Sequence, residues 1–359
     1  MKVAYSPKHA LHDTPTGTWV GVQIEGDEPP ERVEIICRAL AERGHSVVEA
    51  VTHDDIILHR VHDPAMVEYM ESAVEAWYQA GYQDEVGQTQ VTAYAFPLAK
   101  MLGGRPLRLP RSRAALAGVW AMDTMTQIGP GTFEGARAAV DMAQTAAELV
   151  LGGDPAAYAA CRPPGHHAGR DFFGGSCYLN NAAVAAETLR VGGVGRVGII
   201  DLDAHHGNGT QEIFYHRGDV FYGSVHVDPG EGWFPHFVGF ADEVGSGHGE
   251  GANLNVPIAP GVGDHEWLAG VDRVIEALVV FDPDAIVVSL GVDAGASDLN
   301  SPLLVTEGGY RGAGARIAGL HRPTVFVQEG GYDLTTIGGL VAATLSGFEQ
   351  GPPCPLWRS

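Results

Sequence analysis

Apolar residues fall along this chain in two alternating patterns. Short runs rich in β-branched residues occur at Val3–Tyr5, Ser46–Val51, Tyr158–Cys161, Val197–Ile200, Val220–His226, Ala285–Leu290 and Thr324–Val327. Several are apolar throughout, the pattern of strands buried on both faces. Between them lie stretches with helical spacing. Pro29-Pro30 opens one that runs to about Glu42 and stops at Gly44. Asp63-Pro64 caps a second, with Met66, Tyr69, Met70, Ala73 and Trp77 on one face and Gly81 beyond its end. Thr132 is placed to cap an alanine-rich helix reaching about Leu151, and Asn181–Leu189 is helical. Asp264 is placed to cap a helix to about Val280, and Glu307–Leu320 gives the last. Strand–helix alternation of this kind predicts an α/β fold with a mostly parallel sheet covered by helices on both faces.

Two stretches break the alternation. Val227–Gly251 is irregular and rich in Gly, Pro and aromatics. Tyr82 to about residue 115 also loses periodicity, and structureless loops of this length inside a compact domain are uncommon. It carries Lys100, Arg105, Arg108, Arg111 and Arg113 together with Tyr94, Phe96, Leu98 and Leu102. Such a basic, partly apolar insertion reads as a lid, a subunit contact or both; the bland alternative is a solvated insertion. With no linker, repeat or low-complexity segment, residues 1–359 read as one domain.

Composition narrows the partners. The 359 residues are 45% hydrophobic, ample for a large core, and the formal net charge of −22 sets the chain against nucleic acid or an anionic membrane. A cationic substrate is compatible with it. The four cysteines, Cys37, Cys161, Cys177 and Cys354, lack C-x-x-C spacing and read as free thiols in a reducing compartment. The chain opens directly on a strand, without a signal-peptide apolar region, and no apolar run approaches the roughly 20 residues of a membrane span. A cytoplasmic protein is expected.

Chemistry gathers where strands end. After Val197–Ile200 the chain reads D-L-D-A-H-H-G-N-G-T, so Asp201, Asp203, His205 and His206 follow a buried strand at once. His166-His167 lies after the strand at Tyr158–Cys161, Asp293 after Ala285–Leu290, and Tyr332 after Thr324–Val327. Loops at the same edge of a parallel sheet converge. Asp203 and His205, two apart in an extended segment, face the same way. With Asp293 they make a donor set of two carboxylates and an imidazole suited to zinc, with open positions for water and substrate. The adjacent His166 and His167 offer general bases, and Asp201 and Asn208 can orient them through the far ring nitrogen. Tyr332, beside glycines, can donate to a developing oxyanion. Metal, water, base and oxyanion donor describe amide hydrolysis. A two-metal ureohydrolase is the competing reading on a similar fold, but A-G-A-S-D follows Asp293 without a second carboxylate two residues on. An inactive, metal-stabilised binding protein is the alternative from another class.

The segments R-P-P-G-H-H-A-G, D-L-D-A-H-H-G-N-G-T-Q, S-L-G-V-D and E-G-G-Y, in this order, resemble the histone deacetylase superfamily. Within it, P-G-T-F-E, F-P-H-F-x-G-F-A-D-E, the H-D-T-P opening and the long insertion are similar to bacterial acetylpolyamine amidohydrolases. The resemblance implies an arginase-like single domain and zinc on Asp203, His205 and Asp293. It makes His166 and His167 the acid/base pair, His167 the base, and Tyr332 the carbonyl-polarising group. It further implies structural potassium at Asp201, Asp203, His205, Ser224 and Val225, with a second site near Phe214, Arg217, Val220 and Ala252. A homodimer built partly by the insertion is also implied. The substrate would be a small N-acylated amine, acetylpolyamines favoured, with deacylation of acyl-lysine or of a bulkier amide as the alternative; iron(II) would suit the same ligands.

Two features depart from that pattern. Gly175 and Ser176 occupy one wall of the expected substrate tunnel, opposite Phe234, where the family usually carries an aromatic residue at position 176. Where acidic residues would hold a distant ammonium, the chain has Arg111, Arg113, Ala114 and Met125, with only Asp123 acidic; Glu231, Asp242 or a partner subunit are the remaining sources of charge.

Overall fold

The computed structural model describes residues 1–13, 16–26 and 28–351; Cys354 and the Thr14-Pro15 part of the H-D-T-P opening lie outside them. The described residues form ten strands: β1 (Lys2–Tyr5), β2 (Thr16–Trp19), β3 (Val22–Glu25), β4 (Ser46–Glu49), β5 (Ala156–Ala159), β6 (Val197–Asp201), β7 (Val220–Val227), β8 (Asn253–Ile258), β9 (Ala285–Leu290) and β10 (Thr324–Gln328). Eight of them make one sheet in the order β4-β1-β5-β10-β9-β6-β7-β8, and β2 with β3 forms a separate antiparallel hairpin. Every pairing in the large sheet is parallel. Parallel strands require crossovers, which is why a helix separates most of them.

The helices Thr132–Leu151 and Asn181–Val191 pack together along β1, β5, β6, β9 and β10. A second layer runs through Glu31–Ala41, Ile337–Gln350, Glu307–Ala318 and Asp264–Phe281, each packed on the next, with Asp264–Phe281 also against β6, β7 and β8. Because both sheet faces are covered, the central strands are buried at every position: β5, β6, β7, β9 and β10 have no exposed residue. The expected strands and helices are present, with shifts of a few residues at their ends. Two caps differ from expectation. The residue before the alanine-rich helix is Gly131, in the left-handed region at φ 79°, and Thr132 is the first helical residue. The Thr132 hydroxyl instead accepts from the Gly129 amide and pairs with His12 Nδ1. Asp264 is likewise inside its helix, and its carboxylate accepts from the Thr306 amide and hydroxyl, tying two helix starts together. Within the insertion, short helices at Tyr82–Val86 and Ala99–Leu102 punctuate otherwise irregular chain.

The strands that carry the candidate chemistry are β5, β10, β9 and β6, four consecutive neighbours at the middle of the sheet. Their carboxyl ends lie at one edge, which puts the four loops side by side.

Candidate active site

His205 is the centre of the constellation. Its Nδ1 lies 3.0 Å from Asp293 Oδ2 and 3.3 Å from Asp203 Oδ1. One ligand atom from each of these three residues falls within 4.8 Å of the others. Backbone amides aim the carboxylates: Asp203 accepts from Gly330 N at 2.8 Å and His205 N at 3.0 Å, and Asp293 Oδ1 accepts from Ala204 N at 2.8 Å. On the far side, His205 Nε2 donates to the Asn300 carbonyl at 3.0 Å. A neutral imidazole that donates from Nε2 presents a lone pair at Nδ1, directed here at two carboxylates. Three facing acceptors call for a cation between them, so the residues present fit a bound divalent ion. The electrostatics agree: burial, then the charge of Asp203, pushes the Asp293 carboxyl up to about 7. Burial opposes a charge on His205, but its bonds to Asp203 and Asp293 prevail and raise its pKa, so positive charge is favoured at Nδ1, whether a proton or a metal ion supplies it.

The histidine pair is buried beside this group, the rings 4.0 Å apart between centroids. His166 Nδ1 lies 3.1 Å from Asp201 Oδ2, and His167 Nδ1 lies 2.8 Å from Asn208 Oδ1. Asn208 turns its amide nitrogen to the His167 carbonyl and to Met122 Sδ, so its oxygen faces the ring. His167 therefore donates from Nδ1 and keeps the Nε2 lone pair. The charges of the two rings are driven apart. Burial works against a cationic His166, yet Asp203 and Asp201 outweigh it and lift its pKa to about 10. Burial and the neighbouring His166 push His167 well down. The Phe234 ring stands edge-on to His167, centroids 4.8 Å apart. Tyr332 is half-buried, its ring under the Arg32 guanidinium at 4.9 Å.

Several residues that hold this arrangement were given no role by sequence reasoning. Glu329, fully buried, accepts from the Gly165 amide at 2.6 Å and the His166 amide at 3.1 Å, and burial lifts its pKa to about 8. Asp298 accepts from the Tyr332 and Asp333 amides at 2.6 and 3.2 Å. Arg32, buried, donates to the carbonyls of Gly331 and Glu329. Together they fix the segment that carries Tyr332. Glu329 stood within the quoted E-G-G-Y and Asp298 within A-G-A-S-D; a buried acid following a strand was the available signal. Asn300 left none, because it acts through its backbone.

The remaining candidates are placed as follows. Ser224 pairs in register with Asp201 across β6 and β7, and its hydroxyl bonds His226 Nδ1 at 2.8 Å, with Val225 next along the strand. The Phe214 carbonyl accepts from Arg217 N and the Ala252 carbonyl from Tyr222 N, while Val220 opens β7. Asp123 is committed to the amides of Met125 and Thr126 in its own turn and to the Gly175 amide of the turn that packs on it. Glu231 and Asp242 are exposed.

Comparison with known proteins identifies the family. The histone deacetylase domain model matches residues 27–348. An acetylpolyamine amidohydrolase of Mycoplana ramosa is 39% identical over 348 residues, covering 97% of this chain and 99% of the relative. Acetylpolyamine amidohydrolase 1 of Pseudomonas aeruginosa is 37% identical over 350 residues, with 97% and 99% covered. The crystal structure of an acetylpolyamine aminohydrolase from Burkholderia pseudomallei superposes with a TM-score of 0.91 at 36% identity, over 98% of this chain and 99% of that one. With the sheet order, the strand-end loops and a match over nearly its whole length, the chain belongs to the histone deacetylase family.

Proposed function

We propose that the chain is a metal-dependent hydrolase that removes the acetyl group from a small acetylated amine, with acetylpolyamines the favoured class. The observation that carries the chemistry is His205 Nδ1 set between two buried carboxylates, next to a buried histidine pair held by Asp201 and Asn208. The names of the relatives carry the substrate class.

Asp203, His205 and Asp293 would hold the ion, zinc by resemblance and iron(II) by the same donor set. When bound, it supplies Lewis acidity, polarising the amide carbonyl and lowering the pKa of water. His167, neutral and held by Asn208, accepts the proton of the attacking water at Nε2. His166, held at Nδ1 by the Asp201 carboxylate, stands beside His167 as the second member of the acid/base pair. The Tyr332 hydroxyl donates to that oxygen as it becomes anionic. The histidine pair then returns a proton to the leaving amine. Structural potassium at Asp201, Ser224 and Val225, a second such site near Phe214, Arg217, Val220 and Ala252, a cytoplasmic location and a homodimer complete the reading. Among the described residues no helix is long and apolar enough to cross a membrane.

The test is a kinetic panel on zinc-loaded protein with acetylputrescine, acetylspermidine and an acetyl-lysine peptide. Acetylpolyamines are expected to lead by roughly tenfold in kcat/KM, a difference of about 1.4 kcal/mol. A lead by the peptide would move the substrate class, and no turnover of any acetylated amine would overturn the proposal.

A further inference from the structure

A recess beside the reactive slot bears on which acetylated amine is preferred, and its use rests on the amide-hydrolase reading above. Gly175 and Ser176 are consecutive in a tight turn closed by reciprocal backbone bonds between Gly174 and Cys177. Both adopt positive φ, 57° and 62°. Gly175 abuts the slot: a Cβ there would lie 2.4 Å from His167 Cδ2 and 2.8 Å from Phe234 Cε1. Ser176, the next residue, lines a recess together with His12, Glu28, Met125, Gln127 and Tyr178. The recess offers about 40 Å³, room for roughly two or three waters or a small polar group.

Glu28 supplies its unmet valence. The residue is 6% exposed. Its Oε1 is taken by Arg32 and, at 3.0 Å, by Arg162 Nε. Its Oε2 has no hydrogen-bond partner among the described residues; His12 Nε2 stands 3.5 Å away, beyond a good bond. An acceptor buried without a donor is costly, and a donor entering the recess would relieve it. Charge decides which donor. Two guanidiniums already answer the Glu28 charge, so Oε2 lacks a donor rather than a countercharge, and a hydroxyl or an amide N–H meets that need without setting a third cation beside them.

We propose that the recess is a subsite for a short, uncharged, hydrogen-bond-donating branch on the acetylated amine, a hydroxyl or primary amide. Glu28 Oε2 is its acceptor, and Ser176 is the small residue that leaves the recess open beside the slot. The enzyme then prefers hydroxylated or amide-bearing acetylated diamines over their plain counterparts.

The experiment measures kcat/KM on zinc-loaded protein for acetylputrescine and for acetylputrescines hydroxylated at C2 or C3. It compares wild type with Ser176→Phe and Met125→Phe, which fill the recess from two different walls. Wild type is expected to favour at least one hydroxylated substrate by roughly tenfold, the contribution of one hydrogen bond to a charged acceptor. Each variant is expected to bring that ratio to one or below; a ratio taken within one protein is insensitive to the folded fraction. Calorimetric titration of the metal-free wild type with the same compounds should give the same ranking. Equal or poorer use of the hydroxylated substrates by wild type would overturn the subsite and leave amide hydrolysis standing. So would a preference that survives in both variants. No turnover of any acetylated amine would overturn both readings.

Discussion

Tyr332→Phe removes one hydroxyl while leaving the ring under Arg32 and the backbone on Asp298. If that hydroxyl donates to the developing oxyanion, kcat falls about 10²–10³-fold with KM near wild type, as for other oxyanion donors; steady-state kinetics with a melting curve separates this from misfolding. Chelation acts on the other half of the site. Removing the ion leaves two buried carboxylates against one imidazole, so activity is lost and Tm drops, and zinc or anaerobic iron(II) restores both. A chelated protein with full activity would remove the metal from the mechanism. The residues behind these predictions were legible because a polar cluster directly after a buried strand is unusual. Glu329, Asp298 and Arg32 escaped because they act at a distance in sequence. Each bonds backbone groups more than thirty residues away or on another strand's loop, and such pairings appear only once the sheet order is known.

At the scale of elements, close backbone approach explains the second glycine of H-H-G-N-G-T. Gly209 is the second residue of a short helix, Asn208–Phe214, and its amide donates to the His166 carbonyl. A Cβ at Gly209 would sit 2.2 Å from the Ala168 carbonyl oxygen. Gly209→Ala is therefore expected to cost about 1–3 kcal/mol of stability and to lower kcat by displacing His167, measured by denaturant unfolding and turnover on the same sample. The helix Thr132–Leu151 yields a pH-dependent contribution through His53. That imidazole lies 3.3 Å from Asp141 and 3.2 Å from Glu148, with Arg137 also on Asp141. Its bond to Asp141 raises its pKa against the effect of burial. A raised histidine pKa stabilises the fold fully below the unfolded value of about 6.5, and the gain is lost as pH rises through the folded value. The Tm difference between wild type and His53→Gln should thus be largest near pH 5.5 and shrink by pH 9; a difference that grows with pH would refute it. Elements with a clear apolar period were legible, and those without one were not. β8 was missed because its apolar positions are interrupted by Asn253 and Asn255, both buried on Gln211 and Glu243. The β2–β3 hairpin was missed because β3 is exposed throughout. The Gly-rich helix Ile337–Gln350 hides its period by being buried almost all round.

For the whole molecule, charge and surface argue together for how copies meet. The insertion carries a groove of about 640 Å³ lined by Phe96, Met101, Leu102, Leu107 and Val119 among others; Met101 in it and Leu98 nearby in sequence are both more than 60% exposed. Exposed apolar surface of this kind marks a contact. The segment Tyr94–Arg113 also holds five basic residues and no acid, in a chain whose net charge is −22. Arg113 is tied to Glu68 and Ser72 of its own chain, while Lys100, Arg105, Arg108 and Arg111 are exposed. A basic, apolar arm on an acidic body is complementary to a second copy of that body, which would otherwise repel it. The homodimer we propose should therefore weaken as salt screens the arm, whereas a contact made by apolar surface alone would tighten when screening relieves the repulsion. Light scattering of wild type between 0.05 and 1 M NaCl distinguishes the two. Leu98→Asp with Met101→Asp should give monomers at every salt concentration, with secondary structure unchanged. A wild type that is monomeric at tens of micromolar and low salt would leave the insertion as a lid.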